Sequence, residues 1–240
     1  MSSRLILSGL RSIEECLRAN PDRIAKLLVP AGKLSPRLEE LRALAQKKGI
    51  RIEANPKADP EEPLLAVMHD YRYADFDELV GDLKATIGEG ERPVVLALDG
   101  ITDAHNLGAI LRTAAFMGVA AVVLPKDRSA AITDTVYRIA SGGIEYLRVA
   151  QVTNLVSALR ELKDAGFWSV GFSEHAEQDL AALKPDFPAV LVIGNEEKGM
   201  RQLVKENCDH LVRLAGAGGL HSLNASVAAA LAMSWATELL

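Results

Sequence analysis

AVLVIGNEEKGM, residues 189–200, sets an unbroken apolar run against a turn of glycine, asparagine and charge. Six apolar residues without alternation describe a strand buried on both faces. That is the habit of a parallel sheet with helices on each side, whereas a half-exposed strand would alternate. Strand-like apolar runs recur on either side of it, several of them apolar on both faces: VVLALD (94–99), AAVVLP (120–125), YLRVAQV (146–152), WSVGF (168–172) and HLVRL (210–214). Helix-like stretches fill the gaps, over 107–117, 133–140, 155–165, 199–207 and 223–238. Alternation of this kind predicts an α/β domain built on a parallel sheet of about six strands. Ligands of such sheets sit beyond the carboxyl ends of the strands, so the strand exits are where function is to be sought.

Upstream, the pattern is that of a small α/β unit. SIEECLRAN (12–20) reads as a helix with Ser12 as N-cap and Glu15 at capping-box spacing. IAKLLVP (24–30) reads as a strand. SPRLEELRALAQKKG (35–49) reads as a helix capped by Ser35, with Pro36 in its first turn and Gly49 closing it; IRIEA (50–54) is a short strand. The acidic stretch 76–91 ends in Gly-Glu-Gly-Glu. The division expected is a small domain over 1–75, a linker over 76–91 and a main domain over 92–240.

Composition narrows the class. Of 240 residues, 49% are hydrophobic and 25% charged, which supplies both a core and a soluble surface. The two cysteines, Cys16 and Cys208, share no motif, as expected of buried small side chains in a reducing compartment. The apolar run near the N-terminus is too short for a signal peptide, and Val227–Met233 is far below spanning length. A soluble cytoplasmic protein with no membrane partner is expected. The net charge of -5 conceals an asymmetry: residues 1–57 carry 12 Lys and Arg against 6 Asp and Glu, and residues 58–91 carry 2 against 10. The basic block hints at a polyanion, although a solvated helix face bearing Lys47, Lys48 and Arg51 explains it equally well.

Three strand exits carry polar residues. GITDAHNLGAILR (100–112) places Asn106, Gly108 and Arg112 on a loop and the first helical turns. With Asn106 at the cap, Arg112 can grip a phosphate near the helix N-terminus; as a plain cap and a surface charge, the two do nothing further. In GNEEKGM (194–200), glycine permits close backbone approach, while Glu196 or Glu197 also suits the start of a helix. LAGAGGLHSLNASV (214–227) gathers Gly216, Gly218, Gly219, His221, Ser222 and Asn224, with Ser222 an alternative helix cap. No lysine follows the glycines as in a phosphate loop. No Cys and His have metal-ligand spacing, no GxSxG elbow is present, and no GxGxxG follows the first strand of the main domain.

Taken together and in order, NLGAILR (106–112), VIGNEEKGM (192–200) and LAGAGGLHSLNASVA (214–228) resemble the three motifs of the SpoU (TrmH-like) RNA ribose 2'-O-methyltransferases of the SPOUT superfamily. LPKDRSA (124–130) and SGGIEYLRV (141–149) also stand in the usual places, and GLRSIEECLRA with the basic helix resembles the family's small L7Ae-like substrate-binding domain. The resemblance implies a SPOUT-type α/β domain with a C-terminal trefoil knot, S-adenosyl-L-methionine as cofactor, no metal, and a homodimer packed near the final helix. It implies an RNA substrate, ribosomal rather than transfer, with transfer RNA the alternative. A methyltransferase of this fold acting on another acceptor, and an RNA-binding protein without activity, remain as further readings. By resemblance the catalytic positions are Asn106, Arg112, Glu196, Ser222 and Asn224. The cofactor walls are Ile193, Gly194, Asn195 and Gly199, then Leu214, Ala215 and Gly216, then Ser222, Leu223 and Asn224. A guanidinium resists deprotonation, so Arg112 is expected to bind phosphate or polarise the 2'-hydroxyl rather than to act as base. Two departures stand out: GAGGLH is two residues longer than usual before SLN, and HDYRYA (69–74) replaces the expected end of the small domain.

Overall fold

The computed structural model describes residues 5–185, 187–216, 218 and 222–238. In chain order the elements are β1 (Ile6–Ser8), α1 (Leu10–Ala19), β2 (Ile24–Pro30), α2 (Pro36–Lys47), β3 (Ile52–Asn55), β4 (Leu65–Met68) and α3 (Phe76–Gly88). There follow β5 (Val94–Asp99), α4 (Ala104–Phe116), β6 (Ala121–Pro125), α5 (Asp134–Ala140), β7 (Arg148–Val152) and α6 (Leu155–Asp164). The last are β8 (Trp168–Phe172), β9 (Gln178–Asp179), β10 (Ala189–Gly194), α7 (Gln202–Glu206), β11 (His210–Arg213) and α8 (Ala225–Thr237). They divide between two compact units.

The first unit comprises the residues up to Arg72 together with Ile132–Tyr146. Its four-stranded sheet runs β1-β4-β2-β3; β4 is antiparallel to both neighbours and β2 is parallel to β3. α2 forms as expected: the Ser35 hydroxyl accepts from the Leu38 amide at 3.4 Å, and Gly49 leaves the helix at φ 74°. α1 begins earlier than its capping box implies. Gly9 precedes it, and Ser12 is buried within its first turn. Ile13, Cys16 and Leu17 are fully buried, and this stripe sets the helix against the sheet, overriding the local cap signal. Burial, followed by the nearby Glu145 carboxyl, raises the Cys16 thiol.

The second unit comprises Tyr73–Ala131 and the residues from Leu147 onward. Its sheet has seven strands in the order β7-β6-β5-β10-β8-β11-β9, every pair parallel. All six expected strands are present. The two-residue β9 adds an edge that is too short to leave a signature in the sequence. All six residues of β5 and five of β10 are buried, as the apolar runs require. Residues 76–91, expected as a linker, are mostly helix. Asp75 caps α3, its carboxylate accepting from the Asp77 and Glu78 amides, and Leu79 and Leu83 enter the core with Val95, Ala97, Val123 and Val190. The acidic residues of this stretch conceal an apolar stripe at helical spacing. The helix expected over 199–207 shrinks to the five residues of α7, because the chain first turns back beside β10. α8 buries only one side, through Ala225, Ala229, Ala232 and Met233; Val227 and Leu231 are exposed.

Candidate active site

The exits of β5 and β10 lie side by side, with Gly194 opposite Asp99 in the parallel register. After β5, Gly100 turns at φ 83°, and Asp103 caps α4 by accepting from the His105 and Asn106 amides at 3.1 and 3.3 Å. Asn106 is therefore not the cap. It occupies the first turn with its side chain free for other work. After β10 the chain closes on itself. The Asn195 amide donates to the Gly199 carbonyl at 3.1 Å, and the Gly199 amide returns a bond of 2.8 Å. The Asn195 side chain holds this turn from inside. Its Oδ1 accepts from the Glu197 and Lys198 amides, and its Nδ2 donates to the Gly100 carbonyl at 2.8 Å. Glu196 and Glu197 thus lie in the turn and start no helix.

Gly194 is required here for a reason the sequence did not disclose. A Cβ on it would stand 2.3 Å from the Gly199 carbonyl carbon and 2.3 Å from the Met200 nitrogen, so it is the returning backbone that needs the space. A Cβ at Gly199 or Gly216 would meet no atom. Gly199 instead holds φ 63°, a left-handed conformation natural to glycine.

At the third exit, Asn224 caps α8: its Oδ1 accepts from the Ser226 amide at 2.9 Å and from the Ser226 hydroxyl at 2.6 Å. Its Nδ2 donates to Asn106 Oδ1 and to Glu196 Oε2, both at 2.9 Å. Asn106 Nδ2 donates to the same Glu196 oxygen at 3.0 Å. Three side chains, one from each exit, form a closed hydrogen-bonded triangle with a carboxylate at one corner. The second Glu196 oxygen stays outside this set of bonds. Of the other two catalytic candidates, Arg112 is exposed on α4 beyond Asn106, and Ser222 is exposed two residues before the α8 cap.

Beside the triangle lies a cavity of about 810 Å³. Ile193, Gly194, Asn195 and Gly199 line it from the β10 side. Leu214, Ala215, Gly216, Ser222 and Leu223 line it from the segment before α8. Of the expected cofactor walls, Asn224 is the one outside this lining. Gly219 and His221 lie outside the described residues. A further exit went unmarked in the sequence: Phe172 at the end of β8 and Ser173, Glu174 and His175 after it line the same cavity, as do Leu231, Ser234 and Trp235 of α8. The signal was available, since WSVGF is a strand and SEH is its exit. Size and lining suit a mid-sized organic ligand with an apolar body and polar ends. The open space at Gly199 and Gly216 widens the cavity where a side chain would narrow it.

Cys208 packs against Gly171 of β8, where an added Cβ would stand 2.8 Å from its sulfur. Burial, then the adjacent Asp209 carboxylate, pushes its thiol up to about 12, so it behaves as a packing group and not as a nucleophile. No described helix is long and apolar enough to cross a membrane.

With the three motif exits meeting in one hydrogen-bonded triangle beside the cavity, the class can be stated. The model of the SpoU rRNA Methylase family matches residues 93–234, and that for RNA 2'-O ribose methyltransferase substrate binding matches residues 6–59. The chain belongs to the SpoU methylase family. A putative TrmH family tRNA/rRNA methyltransferase of Bacillus subtilis, YacO, is 38% identical over 232 residues, covering 94% of this chain and 92% of the relative. The 23S rRNA (guanosine-2'-O-)-methyltransferase RlmB of Pseudomonas syringae is 38% identical over 234 residues, covering 95% and 93%. In fold, the chain is similar to the SpoU methyltransferase AviRb of Streptomyces viridochromogenes, whose crystal structure contains AdoMet. The TM-score is 0.81 at 23% identity, over 97% of this chain and 89% of that one.

Proposed function

We propose that the chain transfers a methyl group from S-adenosyl-L-methionine to a ribose 2'-hydroxyl of ribosomal RNA, and that it works as a homodimer. The observation that carries this reading is the Asn106–Glu196–Asn224 triangle at the rim of the cavity. When bound, the cofactor supplies an electrophilic methyl group on a sulfonium. Ile193, Leu214 and Leu223 offer apolar walls to such a molecule, and the glycines among them let the backbone come close. Asn106 and Asn224 hold one Glu196 oxygen, which leaves the other to accept from a ribose hydroxyl and orient it. Arg112, always protonated, binds the RNA phosphate or polarises the 2'-hydroxyl. Ser222 stands between the cavity and the triangle in sequence and serves the same end of the site.

The ribosomal preference is supported by the Pseudomonas relative, which acts on 23S rRNA; the Bacillus relative's name spans both RNA classes. The dimer is supported by Leu223, Val227, Leu231 and Phe116, all exposed apolar side chains on α8, on the residue before its cap, and on the neighbouring α4. The trefoil knot fits the sheet order, since β10 follows β8 in the chain yet lies between β5 and β8. The test is methyl transfer from labelled S-adenosylmethionine to unmodified 23S rRNA and to transfer RNA in parallel. Label in ribosomal RNA alone is expected. Label in transfer RNA alone would overturn the substrate assignment, and label in neither would overturn the activity.

A further inference from the structure

We infer that Asp99 and Arg201 are positioning residues for methyl transfer: their ion pair sets the turn that presents Glu196 to Asn106 and Asn224. The inference rests on the function proposed above. Asp99 ends β5 with its side chain wholly buried. A buried carboxylate is costly unless paired and hydrogen-bonded. Arg201 supplies both needs. Its backbone amide donates to one Asp99 oxygen and its Nε to the other, each at 2.7 Å.

The consequence is geometric. Gly194 pairs with Asp99 in the sheet, the chain reverses through Asn195–Gly199, and Arg201 brings it back to Asp99. Asn195 adds a second pin, to the carbonyl of Gly100. The turn carrying Glu196 is thereby fastened to two consecutive residues of the β5 exit. The same exit runs on to Asp103, the cap of the helix bearing Asn106. Asn106 and Glu196, which the first two motifs contribute to the triangle, are therefore referenced to one short stretch of backbone. Slack at Asp99–Arg201 shifts Glu196 relative to Asn106 and Asn224. Neither residue lines the cavity, and neither bonds to the triangle, so the pair acts through Glu196.

Two readouts test this. The first needs no activity: hydrogen–deuterium exchange in the ligand-free protein, comparing wild type with Arg201→Lys and Arg201→Ala. The Gly199 amide, which donates to the Asn195 carbonyl, should exchange faster in Arg201→Ala, with Arg201→Lys between, while Val190–Val192 of β10 stay protected. The second is methyl transfer to RNA. Misplacement of a positioned group lowers kcat by about a hundredfold, while KM for RNA stays within about threefold. Millimolar guanidinium added to Arg201→Ala should restore about tenfold of the lost rate by refilling the site. Wild-type exchange at Gly199 in Arg201→Ala would overturn the inference, as would a loss confined to KM. If the wild type fails to methylate RNA while Gly199 opens in the variant, the proposed function falls and the control of the turn by the pair stands.

Discussion

The side-chain amide of Asn224 lies 2.9 Å from the side-chain carbonyl oxygen of Asn106, across 118 residues of sequence. The same Asn224 starts α8 by accepting from Ser226. One residue therefore ties a helix start to a candidate catalytic group, and the two roles can be separated. Asn224→Asp retains the acceptor for the cap but loses the donor to Asn106 and Glu196. Asp and Asn cap equally well, but the new carboxylate faces that of Glu196 across 2.9 Å, so stability should fall at pH 7 and recover as pH drops through the carboxylate range. Turnover should fall by about a hundredfold, the usual cost of removing one preorganised donor. Urea denaturation and single-turnover methyl transfer check the two halves.

Gly194 and Gly216 both line the cavity, yet substitution should act on different quantities. Gly194→Ala forces a Cβ into the Gly199–Met200 backbone. It should destabilise by about 1–3 kcal/mol, the range for overpacking, and the turn should be lost with it. Gly216→Ala meets no atom, so its melting temperature should not move, while affinity for S-adenosylmethionine should drop as the cavity narrows. Calorimetric melting and titration read these separately. An unchanged melting temperature for Gly194→Ala would contradict the close approach.

Asp209 gives a pH signature. Burial works to raise its carboxyl, but the Lys163 ammonium at 2.5 Å and the Ser169 amide and hydroxyl at 2.9 and 2.8 Å outweigh it, and the group is held below its ordinary value of 3.8. A carboxylate lowered in the folded state stabilises fully above its unfolded value, and the contribution is lost as pH falls through the folded one. Asp209→Asn should therefore cost about 1–2 kcal/mol at pH 7. The gap to wild type should close only below the ordinary carboxylate value. A gap that persists unchanged into that acid range would exclude the charge as its cause.

Much of the second unit was legible because burial writes itself into composition. Strands covered on both faces must be apolar at every position, as β6 and β10 are, and all six strand-like runs are strands. What the sequence hid is non-local. Tyr137 and Ile144 are apolar in a stretch that reads as part of the main domain, but Ile132–Tyr146 packs with the first unit. Local periodicity reports that a face is buried, not which core receives it. The acidic surface of α3 masked Leu79 and Leu83, and a truncation to residues 92–240 would remove both from the core they help to fill. At the site, Asn106, Glu196 and Asn224 meet, whereas Asp99 and Arg201 gave no signal because their partnership spans 102 residues.

The basic block of the first unit is less free than its count suggests. Arg18 and Arg37 pair with Glu14, Arg42 with Glu39, and Lys26 and Arg51 with Glu53. Among the described residues, no ion pair includes Lys47 or Lys48, which end α2 exposed. If the unit binds RNA through them, replacing both with glutamine should reduce the slope of log affinity against log salt by about 1.5, as two lost phosphate contacts require. Filter binding over a salt series measures this, and an unchanged slope would place the RNA elsewhere.

The exposed side of α8 predicts self-association. Val227 is exposed and does not line the cavity, and Phe116 is 84% exposed. Val227→Asp with Phe116→Asp should convert a dimer to a monomer in sedimentation velocity, and the melting temperature should lose its dependence on protein concentration. A wild type that sediments as a monomer would refute the dimer directly.

The most direct measurement is the position of the transferred methyl group. RNA labelled by the protein from S-adenosylmethionine is hydrolysed in alkali, which cleaves every phosphodiester except one beside a methylated 2'-oxygen. Label in alkali-resistant dinucleotides is the predicted result, and it should vanish with Asn106→Ala. Label released as mononucleotides would mean methylation of a base, and the roles given to Asn106, Arg112, Glu196 and Asn224 would be wrong.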